Sequence, residues 1–154
     1  MTHREDSALA RGVQQALAEG QIGAPVFVRW VAATVREAEA LLPHLGWMLE
    51  LAEAWLGAPA QRVYAVGGPA AGQVTALVDY AQGQGALVTA AMAPAHHPPH
   101  AHLTVLGQRG ALYHEDVPAS TVLHPAPPSP TAARFAAACE ESLRRREAWE
   151  IGKE

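Results

Sequence analysis

Cysteine and lysine are almost missing from this chain, which has one of each, Cys139 and Lys153, among 154 residues. A lone cysteine cannot close an internal disulfide, so the fold depends on its apolar core, and at this length a single domain buries about two thirds of the surface its unfolded chain exposes. Long apolar runs are missing too. None approaches the ~20 residues of a membrane-spanning helix, and no membrane partner is expected. The opening residues, MTHREDSALARG, are polar and charged and do not resemble a signal peptide, which makes a cytoplasmic location the expectation. Charge is sparse: 17% of residues, with a net −4. Phosphate recognition needs clustered cations, so nucleic acid is not an expected partner. The one basic run, Arg144-Arg145-Arg146, has acidic neighbours and falls at the end of a predicted helix, where it complements the helix dipole.

What the chain does have is alternation. Between Gly72 and Glu115 the pattern predicts three or four strands joined by glycine turns. Val74, Ala76, Val78 and Tyr80 alternate with Thr75, Leu77, Asp79 and Ala81, and Gln82-Gly83-Gln84-Gly85 turns the chain into Ala86 to Ala93. A second hairpin runs from Leu103, Val105 and Leu106 through Gly107-Gln108-Arg109-Gly110 to Tyr113, with glycines expected to supply positive φ.

Elsewhere the pattern alternates helix and strand. Leu9, Val13 and Leu17 recur at spacing four in a first helix that Asp6 or Ser7 can cap and Gly20 can end. Val26 to Val31 predicts the first strand, and Thr34 with Glu37 has the form of a capping box. In LPHLGWMLELAEAWLG, residues 42–57, Leu45, Met48, Leu49, Ala52 and Leu56 share one helix face and Trp47, Leu51 and Trp55 form a second apolar stripe. Gln61 to Val66 predicts another strand, and Ser120 to His124 one more. Residues 125–130 are a proline-rich connector to a last helix whose inner face holds Phe135, Ala138, Cys139, Ser142 and Leu143. This order predicts one α+β domain over residues 1–154. Its sheet is mostly antiparallel and open, with helices packed on one face and the other face available for oligomerisation.

Four stretches, in this order, resemble the carboxy-terminal domain of the Gfo/Idh/MocA oxidoreductases, the glucose-fructose oxidoreductase and inositol dehydrogenase group. Gly20-Gln21-Ile22-Gly23-Ala24-Pro25 is similar to the family's "G-x-I-G-x-P" entry to its first strand. Trp55-Leu56-Gly57 is similar to the end of its "D-L-A-R-W-L-L-G" helix, and Val105, Gly107, Gly110 and Leu112 to its "V-x-G-x-x-G-x-L" turn. Glu141-Ser142-Leu143 fits "x-x-S-x-x-x-G" in its last helix. The resemblance implies a domain that shapes a substrate pocket and builds dimers or tetramers through its sheet.

The departures bear on activity. No G-x-G-x-x-G stands between a strand and a helix, and no lysine matches the family's E-K-P motif. His44-Leu45-Gly46-Trp47-Met48 stands where the family has D-x-G-x-H, so Met48 occupies the place of the histidine, and methionine moves no proton. No catalytic residue is assigned. No cofactor is expected for the chain alone, and NAD(P) enters only with a separate nucleotide-binding subunit.

Three functions follow in order. The first is a homodimer or tetramer, non-catalytic or binding a small ligand, packed through Val74, Ala76, Val78, Val88, Ala90 and Met92. The second is the substrate-binding half of a two-chain oxidoreductase. The third is a zinc-binding module built on His97, His100 and His102 in His96-His97-Pro98-Pro99-His100-Ala101-His102, a run that also reads as a proline-stiffened loop. His44, Met48 and Arg109 are ligand-binding candidates. For His44 the alternative is a surface or capping histidine, and for Arg109 an exposed turn residue. Glu50 and Glu53 read as solvated helix charges, Cys139 as a buried small hydrophobe, and Trp30, Trp47 and Trp55 as core or interface anchors.

Overall fold

A computed structural model describes residues 3–116 and 129–152. Most of the connector, the strand expected at Ser120 to His124, and Lys153 lie outside the described residues. Among the described residues three helices and seven strands follow one another as α1 (His3–Ala18), β1 (Pro25–Val35), α2 (Leu41–Leu56), β2 (Ala60–Gly68), β3 (Gln73–Tyr80), β4 (Gly85–Met92), β5 (His100–Gly107), β6 (Ala111–Asp116), α3 (Pro130–Arg145) and β7 (Trp149–Glu150). The strands form one sheet in the order β6-β5-β1-β4-β3-β2-β7.

The two hairpins form as the alternation predicts, β3 with β4 and β5 with β6. What joins them is β1. It lies between β4 and β5, parallel to the first and antiparallel to the second, the single parallel pairing among the described strands. That pairing carries β1 past Val31 as far as Val35, opposite Met92. Thr34 is therefore a buried strand residue, and Glu37 precedes a short 3-10 turn, Ala38–Ala40, with no side-chain cap. The expected capping box does not form, because the strand claims its threonine. At α1, helix begins at His3, upstream of Asp6 and Ser7, so neither sits at the expected cap position.

The core lies between the sheet and the helices. Val28, Trp30 and Ala32 of β1, Val74, Ala76 and Val78 of β3 and Ala86, Val88 and Ala90 of β4 are buried beneath Leu45, Met48, Leu49 and Ala52 of α2 and Phe135 and Cys139 of α3. Gly46 lets α3 cross α2 closely: a Cβ there would stand 2.2 Å from the Ala132 carbonyl oxygen. Trp30 sits under α2, with ring centroids 5.6 Å from Trp47 and 5.4 Å from Trp55, which accounts for the second stripe of that helix. Ser129 caps α3 by accepting from the Ala132 N–H at 2.9 Å, with Pro130 in the first turn.

The Gly107–Gly110 turn needs its first glycine for space. Neither Gly107 nor Gly110 has positive φ, but a Cβ on Gly107 would meet the Ile22 carbonyl oxygen at 2.2 Å. The turn after α1 packs directly on this hairpin, and Arg109 N–H donates to that same Ile22 carbonyl at 2.8 Å.

Candidate functional site

The part of α2 that holds His44 and Met48 faces the core. His44 is 4% exposed, and Met48 is fully buried. His44 Nε2 lies 3.4 Å from Thr34 Oγ1 and its ring packs 5.4 Å from that of Trp47. Burial disfavours the imidazolium and lowers the His44 pKa to about 4, so the ring is neutral at neutral pH. His44 is thus neither a surface nor a capping histidine; it is a core residue with a hydroxyl neighbour. Met48 offers no proton and no access.

Arg109 lies over the turn that follows α1. A Cβ built on Gly23 would stand 3.1 Å from its Nε, and one on Gly20 would stand 3.9 Å from a terminal guanidinium nitrogen. Arg109 is an exposed turn residue whose aliphatic stem and guanidinium cover that turn.

The residues expected on the sheet interface are on the other side of the sheet. Val74, Ala76, Val78, Val88 and Ala90 are fully buried, and Met92 packs partly against the core. The reason is the period of two: these residues share the face of Trp30 and Val28, which α2 and α3 cover. The face that no described helix covers carries their neighbours. Tyr64 of β2, Leu77 of β3, Leu87 of β4, Arg29 of β1, Thr104 of β5 and Tyr113 of β6 form one row across six strands. Leu77 is 44% exposed and Tyr113 78%. Val66, Thr75, Thr89, Val31, His102 and Glu115 form the next row, with Thr75 and Thr89 hydroxyls bonded at 2.8 Å. Arg62 and Asp79 pair on the same face at 2.6 Å.

Of the three histidines considered for metal, two come together. His100 and His102 project from the open face of β5 with ring centroids 5.8 Å apart. His97 lies in the exposed turn before the strand, and no group of three or more histidine, cysteine or carboxylate side chains converges among the described residues. Sequence reasoning missed Glu115. Its Oε1 faces His102 Nδ1 at 3.4 Å, a cross-strand partnership set by register and not by proximity in sequence.

The two glutamates of α2 are latches. Glu53 accepts from the Ala60 N–H at 2.9 Å and pairs with Arg134, and Glu50 accepts from the Ser129 hydroxyl at 2.7 Å. Cys139 is a buried hydrophobe, its thiol pushed up to about 12 by burial. Arg144 and Arg145 both bond to Glu141, and the Arg145 guanidinium lies 4.6 Å from the Trp149 ring centroid.

No family model and no curated protein matches this sequence. Solved structures do match it in fold. One is a probable dehydrogenase from Thermotoga maritima, 13% identical with a TM-score of 0.76 over 97% of this chain and 63% of that one. The fold is that of the Gfo/Idh/MocA carboxy-terminal domain. The scyllo-inositol dehydrogenase of Lactobacillus casei, solved with NAD(H) and scyllo-inositol, gives 15% and 0.73 over 99% of this chain and 64% of its own. The myo-inositol dehydrogenase of Corynebacterium glutamicum gives 13% and 0.69 over 94% and 62%. This chain therefore spans just under two thirds of the length of these dehydrogenases, and at such identities the likeness is one of fold.

Proposed function

We propose that this chain is a homo-oligomeric domain of dehydrogenase-like fold that does not carry out hydride transfer by itself. One observation carries the reading. α2 and α3 cover one face of the sheet, and the opposite face holds solvent-exposed Tyr64, Val66, Leu77, Leu106 and Tyr113 across four strands. Isolated exposed apolar residues are ordinary, but a row of them along hydrogen-bonded strands is a surface that gains by being covered. Arg29, Arg62, Asp79 and Glu115 bring both signs of charge to the same face, which suits a self-complementary contact in which a second copy offers the same patch.

The buried Met48 and the buried, neutral His44 support the non-catalytic part, since neither can exchange a proton with a substrate hydroxyl. The test pairs two measurements: absolute mass in solution, and NAD(P)-dependent oxidation of inositols by the chain alone. The expected result is an assembled protein without activity. A monomer would give the open face to another protein, with a separate nucleotide-binding subunit the first candidate. Turnover by the chain alone would overturn the non-catalytic part.

A further inference from the structure

We propose that His100 and His102 form a two-imidazole site for a late divalent transition metal, with Glu115 orienting His102 from the neighbouring strand. Residues i and i+2 of a strand point to the same side, and these two stand on the uncovered face of β5. Two imidazoles bound to one zinc ion, with Zn–N of about 2.0–2.1 Å at a tetrahedral angle, place their ring centres about 5 Å apart. The two rings here are 5.8 Å apart, so small χ rotations bring them to a shared ion.

Glu115 supplies the second observation. Its carboxylate faces Nδ1 of His102, which favours the proton on that nitrogen and leaves the Nε2 lone pair free for a metal. Histidine ligands characteristically hand their other ring nitrogen to a carboxylate in this way, which fixes the ring and raises its basicity. A four-coordinate ion held by two imidazoles keeps two positions for water or for the oxygens of a small ligand. Both ligands belong to one strand of one chain, so the two imidazoles need no residue from a second copy.

The experiment is calorimetric titration of the untagged full chain with Zn²⁺, alongside His100→Ala, His102→Ala, Glu115→Gln and His97→Ala. The proposal expects one ion per chain, at least tenfold weaker binding in either strand variant, about tenfold weaker binding in Glu115→Gln, and no change in His97→Ala. Circular dichroism of each variant separates a lost site from a lost fold. Absence of binding to the folded parent chain, or binding unaltered by both strand variants, overturns it.

Discussion

Ser142 holds Ala65. The serine hydroxyl on α3 accepts from the Ala65 backbone N–H at 3.0 Å and donates to the Glu147 carbonyl at 2.5 Å, joining the last helix both to β2 and to the chain that leaves the helix. All of this is buried at the serine. Ser142→Ala leaves a buried donor without its acceptor, and the expected cost is about 1–3 kcal/mol. Urea unfolding reads it directly, and an unchanged midpoint would contradict the role.

Four residues on, Arg146 is the one non-glycine with positive φ among the described residues, at 57°. A left-handed conformation strains a residue with a Cβ by roughly 1–2 kcal/mol, part of which glycine returns through its freer unfolded chain. Arg146→Gly should raise stability by about 1 kcal/mol. Arg146→Val, β-branched, should lower it, and thermal unfolding of the pair would show the opposite signs.

Gly46→Ala tests the crossing of α2 and α3. The new methyl meets the Ala132 carbonyl, a backbone atom that moves only if the helices part. Overpacking of this kind costs about 1–3 kcal/mol, and the upper end is expected here. A variant as stable as the parent would mean that α3 does not pack this closely.

His44 should make stability depend on pH in a specific window. Its folded pKa of about 4 lies below the ordinary histidine value, so between the two the unfolded chain binds the extra proton. The stabilisation is complete above the unfolded pKa and is lost as pH falls toward the folded one, on the order of 3 kcal/mol in all. Most carboxylates remain ionised through the upper part of this window, which separates their effect from that of His44. Denaturant midpoints at pH 7 and pH 5 should differ in the parent and converge in His44→Gln. Equal midpoints in the parent would contradict a buried neutral imidazole.

Much of this architecture was legible in the sequence because its signals are local. The alternation of Val74 to Tyr80 marked a strand, and the apolar face of residues 45–56 marked a buried helix. What escaped reading depends on partners distant in sequence. The parallel pairing of β1 with β4 turned Thr34 from a helix cap into a strand residue, and cross-strand register brought Glu115 to His102. The sheet face was misassigned for a related reason: a strand with apolar residues on both sides does not say which side the helices choose. Val78 and Leu77 differ by one position, and only the packing of α2 and α3 decides that Val78 is core and Leu77 surface.

That difference gives the most direct test of the central claim. Absolute mass by light scattering behind a sizing column, over a wide concentration range, should show the parent chain at a multiple of its own mass. Leu77→Asp should remain folded and run as a monomer, while Val78→Asp should fail to fold because it places a carboxylate in the core. A parent chain monomeric at every concentration, or a folded Leu77→Asp with unchanged mass, would contradict assembly through the open face of the sheet.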